Sequence, residues 1–164
     1  MITPAVQDEV ERLVNQHGFN VTESDLEKPW GGYLRLDEAQ TSQFLKRYFP
    51  TVDPPTGDIR ISPKYLVVEP HRRLSWQRHE RRDERWRVVA GPVEVSTSRT
   101  DDQPPARTLK AGAELEIARG ERHRLIGADN WGIVAEIWQH TDPDHPSDED
   151  DIVRIQDDFE RGNA

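Results

Sequence analysis

Leu74-Ser75-Trp76-Gln77-Arg78-His79, followed at once by Glu80-Arg81-Arg82-Asp83-Glu84-Arg85-Trp86, is the stretch on which the reading of this chain turns. Alternate side chains of an extended strand share a face, so Gln77 and His79 point the same way. The polar residues 80–83 read as a tight turn, after which Glu84 opens a new strand with Trp86 and Val88 on its face. A donor pair at i and i+2, then a carboxylate across a turn, can converge on one ion. Further along, Gly112 and Gly120 frame His123, which opens another strand and supplies a second imidazole. Nitrogen and oxygen donors without a thiolate suit a divalent transition metal, zinc first, with Mn, Fe, Ni or Co also compatible.

Around this stretch, short β-branched runs alternate with turns: residues 65–68, 86–89, 93–97, 115–117, 123–126 and 133–138. Their spacing of roughly ten residues is that of an all-β sandwich or barrel. Gly91-Pro92, residues 101–105, 110–112 and 127–130 are the turns between them. Upstream, Val6, Val10, Leu13 and Val14 recur at helical spacing between Pro4 and Gly18, and residues 38–48 form a second helical segment. Downstream, a polar, proline-containing run from Asp142 to Asp151 ends in Ile152-Val153-Arg154-Ile155, expected to strap back onto the barrel. The organisation expected is one structural unit, with residues 1–58 a helical extension and entry strand that pack on a barrel spanning 59–164 with its C-terminal strap.

The 164 residues suffice for one core, and the 34% hydrophobic content keeps that core small. The absence of cysteine excludes disulfides, zinc–thiolate sites and thiol nucleophiles together. No apolar run approaches membrane-spanning length and no signal pattern opens the chain, so a cytoplasmic location is the expectation. A net charge of −9 argues against nucleic-acid binding. Yet seven arginines lie between Arg72 and Arg87. Such an island in an acidic chain either binds a small anion, a phosphate or carboxylate, or laces a rim with ion pairs to Glu80, Asp83 and Glu84. Trp30, Trp86, Trp131 and Trp138 read as packing residues, and His17, His71 and His145 as surface residues.

These spacings resemble the two motifs of the cupin superfamily. In the first, His71, five residues, Gln77-x-His79, four residues, Glu84, six residues, Gly91 keeps the family spacing; His71 stands where glycine is usual and Gln77 where a histidine is usual. In the second, Gly112, Ala118-x-Gly120, His123 and Gly127 keep both glycines and the histidine but lack the family's proline and asparagine. The resemblance narrows to type II phosphomannose isomerases. Lys28-Pro29-Trp30-Gly31 is similar to their Arg-Pro-Trp-Gly, residues 74–79 and 82–86 to their Leu-Ser-Leu-Gln-x-His and Arg-x-Glu-x-Trp, and Glu149-Asp150-Asp151-Ile152-Val153-Arg154 to their closing segment. It runs roughly from residue 28 to residue 161, and no counterpart of a nucleotidyltransferase half is present. Residues 38–62 depart from the pattern and are expected to reshape the mouth.

The resemblance implies a single cupin β jelly-roll barrel holding a divalent metal on Gln77, His79, Glu84 and His123. It implies aldose–ketose isomerisation of a sugar phosphate, mannose 6-phosphate and fructose 6-phosphate being the leading pair, with a base moving a proton through an enediol. Arg82 and Arg154, both in family-like motifs, are the candidates for the phosphate. Glu136 and Lys64 are the candidates for proton transfer, with His140 a third. Homodimerisation is expected by analogy, the N-terminal helix and the tail being the candidate contacts. Two other readings stay open: a non-catalytic cupin that binds a sugar or anionic metabolite, and another cupin enzyme such as a metal-dependent dioxygenase.

Overall fold

The computed structural model describes residues 1–159; residues 160–164, the end of the expected strap, lie outside them. Thr3 caps the first helix by accepting a hydrogen bond from Val6 N at 3.3 Å, and proline follows where its missing N–H is harmless, so α1 runs Pro4–Gln16. A single 3₁₀ turn, Glu38–Gln40, leads into α2, Thr41–Tyr48. The rest is strand and loop, in chain order β1 Val21–Lys28, β2 Gly31–Leu36, β3 Ile61–Val68, β4 Trp76–Arg78, β5 Arg82–Ala90, β6 Val93–Ser98, β7 Arg107–Leu109, β8 Glu114–Ile117, β9 Arg122–Gly127, β10 Gly132–His140 and β11 Val153–Gln156.

All pairings are antiparallel. One sheet runs β1-β2-β3-β10-β5-β8 and the other β11-β4-β9-β6-β7. Their inner faces enclose an apolar end built from Leu66, Val68, Val88, Val93, Leu125 and Val134. The outer face of the larger sheet is covered too: Tyr65, Val67, Ile133, Ala135 and Ile137 pack against Val10, Leu13, Phe44, Leu45 and Phe49 from the helical layer. Two covered faces explain why β3 is buried at all eight positions rather than at alternate ones.

This layering moves two expected features. Apart from the exposed Ile59, residues 38–62 pack their large apolar side chains on the back of the sheet; none of the segment lines the main cavity described below, while Glu38, Arg60 and Ser62 border a smaller adjoining one. The apolar face of α1, expected as a contact between copies, is buried against its own chain at Val6, Val10, Leu13 and Val14. Where one entry strand was expected within residues 1–58, the structure has a hairpin, β1–β2. Its first strand carries few apolar residues and is mostly exposed, so alternation does not betray it. Gly31 anchors it: at φ 138°, a Cβ there would stand 1.9 Å from Val67 O.

The pairing aligns one lateral row across five strands. Glu23 faces Arg35, Arg35 faces Lys64, Lys64 faces Glu136, and Glu136 faces Trp86. The next row places Trp138 opposite both Ser62 and Glu84. Polar inward-facing side chains therefore gather at one end of the barrel while the other end is filled with aliphatics.

Candidate functional site

Glu84 Oε1 lies 3.1 Å from His79 Nε2 and 3.2 Å from His123 Nε2. The three residues come from β5, from the turn after β4 and from β9, and all are buried. Register joins them: Gln77 pairs with His123 across β4 and β9. The turn before His123 ties back as Gly120 N donates to His79 O at 2.8 Å, with Gly120 at a φ of 81°.

Both imidazoles are oriented from behind. His79 Nδ1 faces the carbonyl of Asp151 at 2.7 Å, and His123 Nδ1 faces that of Glu121 at 3.0 Å. A carbonyl can only accept, so each Nδ1 carries the proton and each Nε2 presents a lone pair toward Glu84. Burial pushes the His79 pKa down. Burial alone would raise that of Glu84, but its charged surroundings, Arg82 Nε at 3.8 Å among them, hold the carboxyl well below its ordinary range. Two lone pairs thus converge on a buried carboxylate. Glu84 Oε1 and His123 Nε2 make no hydrogen bond among the described residues. Their ligand atoms and that of His79 lie within 4.8 Å of one another. Such a donor set fits a divalent cation, which would satisfy all three atoms at once.

Gln77 completes the approach. Its Nε2 lies 3.4 Å from His79 Nε2, and its Oε1 accepts from Ser75 Oγ at 2.6 Å. The serine hydroxyl can also accept, so exchanging the amide termini keeps the Ser75 contact and turns the oxygen toward the histidine. Arg82 lies deeper than a phosphate ligand at a rim would. Its Nη1 donates to Ser147 Oγ at 2.9 Å and to Asp148 O at 3.2 Å; Nη2 lies 3.1 Å from His79 Nε2, and the guanidinium stacks 3.6 Å from the Trp138 ring centroid. Arg154, in β11 opposite Gln77, is exposed and lines the cavity.

That cavity has a volume of ≈ 370 Å³ and is bounded by His79, Glu84, Lys64, Glu136, Trp30 and Tyr33 among others. Glu136 is buried with both oxygens engaged, accepting from Trp86 Nε1 at 2.7 Å and from Trp138 Nε1 at 2.9 Å. Burial and the neighbouring Glu84 push its pKa up, against the pull of Lys64. Lys64 pairs with Glu149 Oε1 at 3.2 Å and lies 4.3 Å from the Trp138 ring. His140 lies outside this group: Ser147 N donates to its Nδ1 at 2.9 Å and its Nε2 meets Ser62 Oγ at 2.8 Å.

Asp151 was not read from the sequence as a site residue. Its carboxylate accepts from Glu80 N at 2.9 Å, Arg81 N at 3.0 Å and Ser147 Oγ at 2.6 Å, so it clamps the turn that carries His79. Glu149, Tyr33 and Lys28 also line the cavity. A legible signal existed for Asp151 and Glu149: an acidic strap in a chain whose barrel carries an arginine island must pair somewhere.

Comparison with known proteins agrees with this architecture. The family described as mannose-6-phosphate isomerase, C-terminal, matches residues 15–157. A mannose-1-phosphate guanylyltransferase from Salmonella montevideo is 27% identical over 150 residues, covering 92% of this chain; the chain spans 26% of that protein's length. Among solved structures, hazelnut (Corylus avellana) vicilin superposes with a TM-score of 0.54 at 15% identity, covering 85% of this chain and 34% of its own. The capsular polysaccharide assembling protein CapF from Staphylococcus aureus does so with 0.54 at 13% identity, covering 82% and 34%. These two likenesses concern the fold. With its two antiparallel sheets closed around a buried His-Glu-His group, this chain is a cupin jelly roll and belongs to the mannose-6-phosphate isomerase C-terminal family.

Proposed function

We propose that this protein is a metal-dependent aldose–ketose isomerase of a sugar phosphate, mannose 6-phosphate and fructose 6-phosphate being the leading pair. The observation that carries the reading is the juxtaposition, in one cavity, of a carboxylate between two imidazole lone pairs and a second, proton-retaining carboxyl, Glu136. His79, Glu84 and His123 would hold the cation, with Gln77 as fourth ligand and zinc the first candidate over Mn, Fe, Ni or Co. Such an ion supplies Lewis acidity to the carbonyl and hydroxyl oxygens of an open-chain sugar.

The chain's own residues do the rest. Glu136 takes the proton from one carbon and returns it to its neighbour, so that an aldose becomes a ketose through an enediol. The Trp86 and Trp138 indoles fix the plane of its carboxyl, and Lys64, opposite it in the same row, favours the ionised form needed for abstraction. Trp30 and Tyr33 line the cavity beside it. Arg82 and Arg154 contribute to the cationic lining that favours an anionic substrate.

One feature supports a second reading, a cupin that binds a sugar phosphate without turning it over: both Glu136 oxygens already accept indole N–H groups. The test is a coupled assay for fructose 6-phosphate from mannose 6-phosphate after loading with Zn(II) or Mn(II), run beside deuterium exchange at C2. Turnover that falls by about 10²–10⁴ in Glu136→Gln supports isomerisation. Ligand-induced stabilisation with neither turnover nor C2 exchange leaves the binding protein.

A further inference from the structure

Arg35 and Lys64 are nearest cross-strand neighbours on β2 and β3. Like charges directly opposite in a sheet repel, and an ammonium with only 7% of its side chain exposed is costly to bury without an anion. Aromatic rings cushion the pair, with Lys64 Nζ 4.7 Å from the Tyr33 centroid and 4.3 Å from that of Trp138 and Arg35 Cζ 5.5 Å from the latter, but a ring does not neutralise a charge. One oxygen compensates both: Glu149 Oε1 lies 2.5 Å from Arg35 Nη2 and 3.2 Å from Lys64 Nζ. Arg35 has a second carboxylate, Glu23, at 3.2 Å.

Glu149 comes from the irregular segment before β11, and about half of its side chain, 49%, is exposed. A carboxylate delivered from such a segment, to cations fixed in a sheet, is displaceable. Exchanging one anion for another leaves the desolvation of Lys64 nearly unchanged, and a phosphate monoester brings more charge and three acceptor oxygens. Lys64 and Glu149 line the same cavity as His79, Glu84 and Glu136, whereas Arg35 borders a smaller adjoining cavity of ≈ 170 Å³ that shares Trp138 with the first. An anion seated there leaves the rest of its molecule beside Glu136, which faces Lys64 in the same row.

We infer that Arg35 and Lys64 form the anion subsite of this cavity, that the strap carboxylate Glu149 occupies it in the absence of ligand, and that a sugar phosphate binds by displacing Glu149. The identification of the anion as a sugar phosphate rests on the function proposed above; the subsite itself does not. Arg82 and Arg154 then flank the path of the ligand, and Glu149 acts as a built-in competitor.

The test is calorimetric titration of the metal-free protein with inorganic phosphate, mannose 6-phosphate and mannose. It compares wild type with Glu149→Gln, Arg35→Met and the double variant. Removing the competing charge tightens phosphate and mannose 6-phosphate on the order of tenfold in Glu149→Gln. Adding Arg35→Met cancels the gain, and mannose is indifferent throughout. Arg35 is the arm of choice because it is more exposed than Lys64, and melting curves confirm that each variant folds. Unchanged or weaker phosphate binding in Glu149→Gln overturns the subsite, as does a gain that survives Arg35→Met. Tightening for inorganic phosphate but not for mannose 6-phosphate overturns its assignment to the substrate. Absence of isomerase turnover with the gain intact would instead count against the proposed reaction alone.

Discussion

His79 donates its Nδ1 proton to the main-chain carbonyl of Asp151 over 2.7 Å, across 72 residues of chain. The same Asp151 clamps the following turn through its carboxylate, which accepts from Glu80 N and Arg81 N. The barrel's central imidazole is therefore aimed by the C-terminal strap.

Loosening that clamp weakens cation binding without touching a ligand atom. Asp151→Ala is expected to lower divalent-metal affinity by roughly 10–100-fold, as for other partners that orient a ligating histidine. Asp150→Ala, at a neighbouring exposed position, is the control. Titration with Co(II) followed by its visible spectrum measures both affinity and ligand geometry. Equal affinities in the two variants would show that the strap does not govern the site.

The donor set predicts a graded response to ligand removal. Saturating Zn(II) at about 100 times its Kd stabilises the fold by about 2.7 kcal/mol, and chelation reverses the gain. His79→Ala and His123→Ala abolish the metal-dependent shift in melting temperature. Gln77→Ala reduces it, because a neutral amide is the weakest of the four donors. A shift of wild-type size in His123→Ala would remove the site from consideration.

His140 makes the strap sensitive to acid. Burial, with Arg60 next, pushes its imidazole down to about 4, and Ser147 N donates to its unprotonated Nδ1. The unfolded chain takes up this proton near pH 6.5, the folded one near 4, so the unfolded state binds more protons in between. Stability is then expected to be complete above about pH 6.5 and to fall as the pH drops toward 4. Urea unfolding across that range measures the slope. His140→Gln, which can still accept from Ser147 N, should flatten it.

His71 adopts φ 60°, the left-handed region that favours glycine, at the position where the cupin motif has one. His71→Gly should therefore stabilise the protein, by up to ~1 kcal/mol once the greater freedom of glycine in the unfolded chain is subtracted. A change in melting temperature reads this directly. No gain would mean that the contact of its ring with Asp129, at 3.3 Å, offsets the strain.

Phe44 is fully buried between helix and sheet, on the face away from the cavity. Phe44→Ala should cost about 3–5 kcal/mol. If residues 1–58 and the barrel form one cooperative unit, unfolding remains a single transition and metal affinity in the folded variant is unchanged. Two separated transitions would divide the chain.

Much of the site was legible because its signal is local. Gln77 and His79 share a face by strand alternation, Glu84 follows one turn later, and Gly120 marks the tight turn before His123. The helices announced themselves through Val6, Val10, Leu13 and Val14 and through Phe44, Leu45 and Tyr48. The hairpin β1–β2 did not, because an edge strand such as Val21–Lys28 needs no apolar face of its own; β2 and Gly31 decide its pairing.

What the sequence determined by itself was the barrel class, the spacing of the four candidate donor residues and the presence of a cationic island, all set by local periodicity and turn chemistry. Tertiary structure alone decided which charges meet. Arg82 turned inward to Ser147 and His79, Glu136 was capped by two indoles from different positions, Asp151 came to aim His79, and Glu149 bridged Arg35 to Lys64. These are contacts between strands and strap far apart in the chain. Their partners follow from sheet register and from the cost of burying an uncompensated charge, neither of which is written in any local stretch.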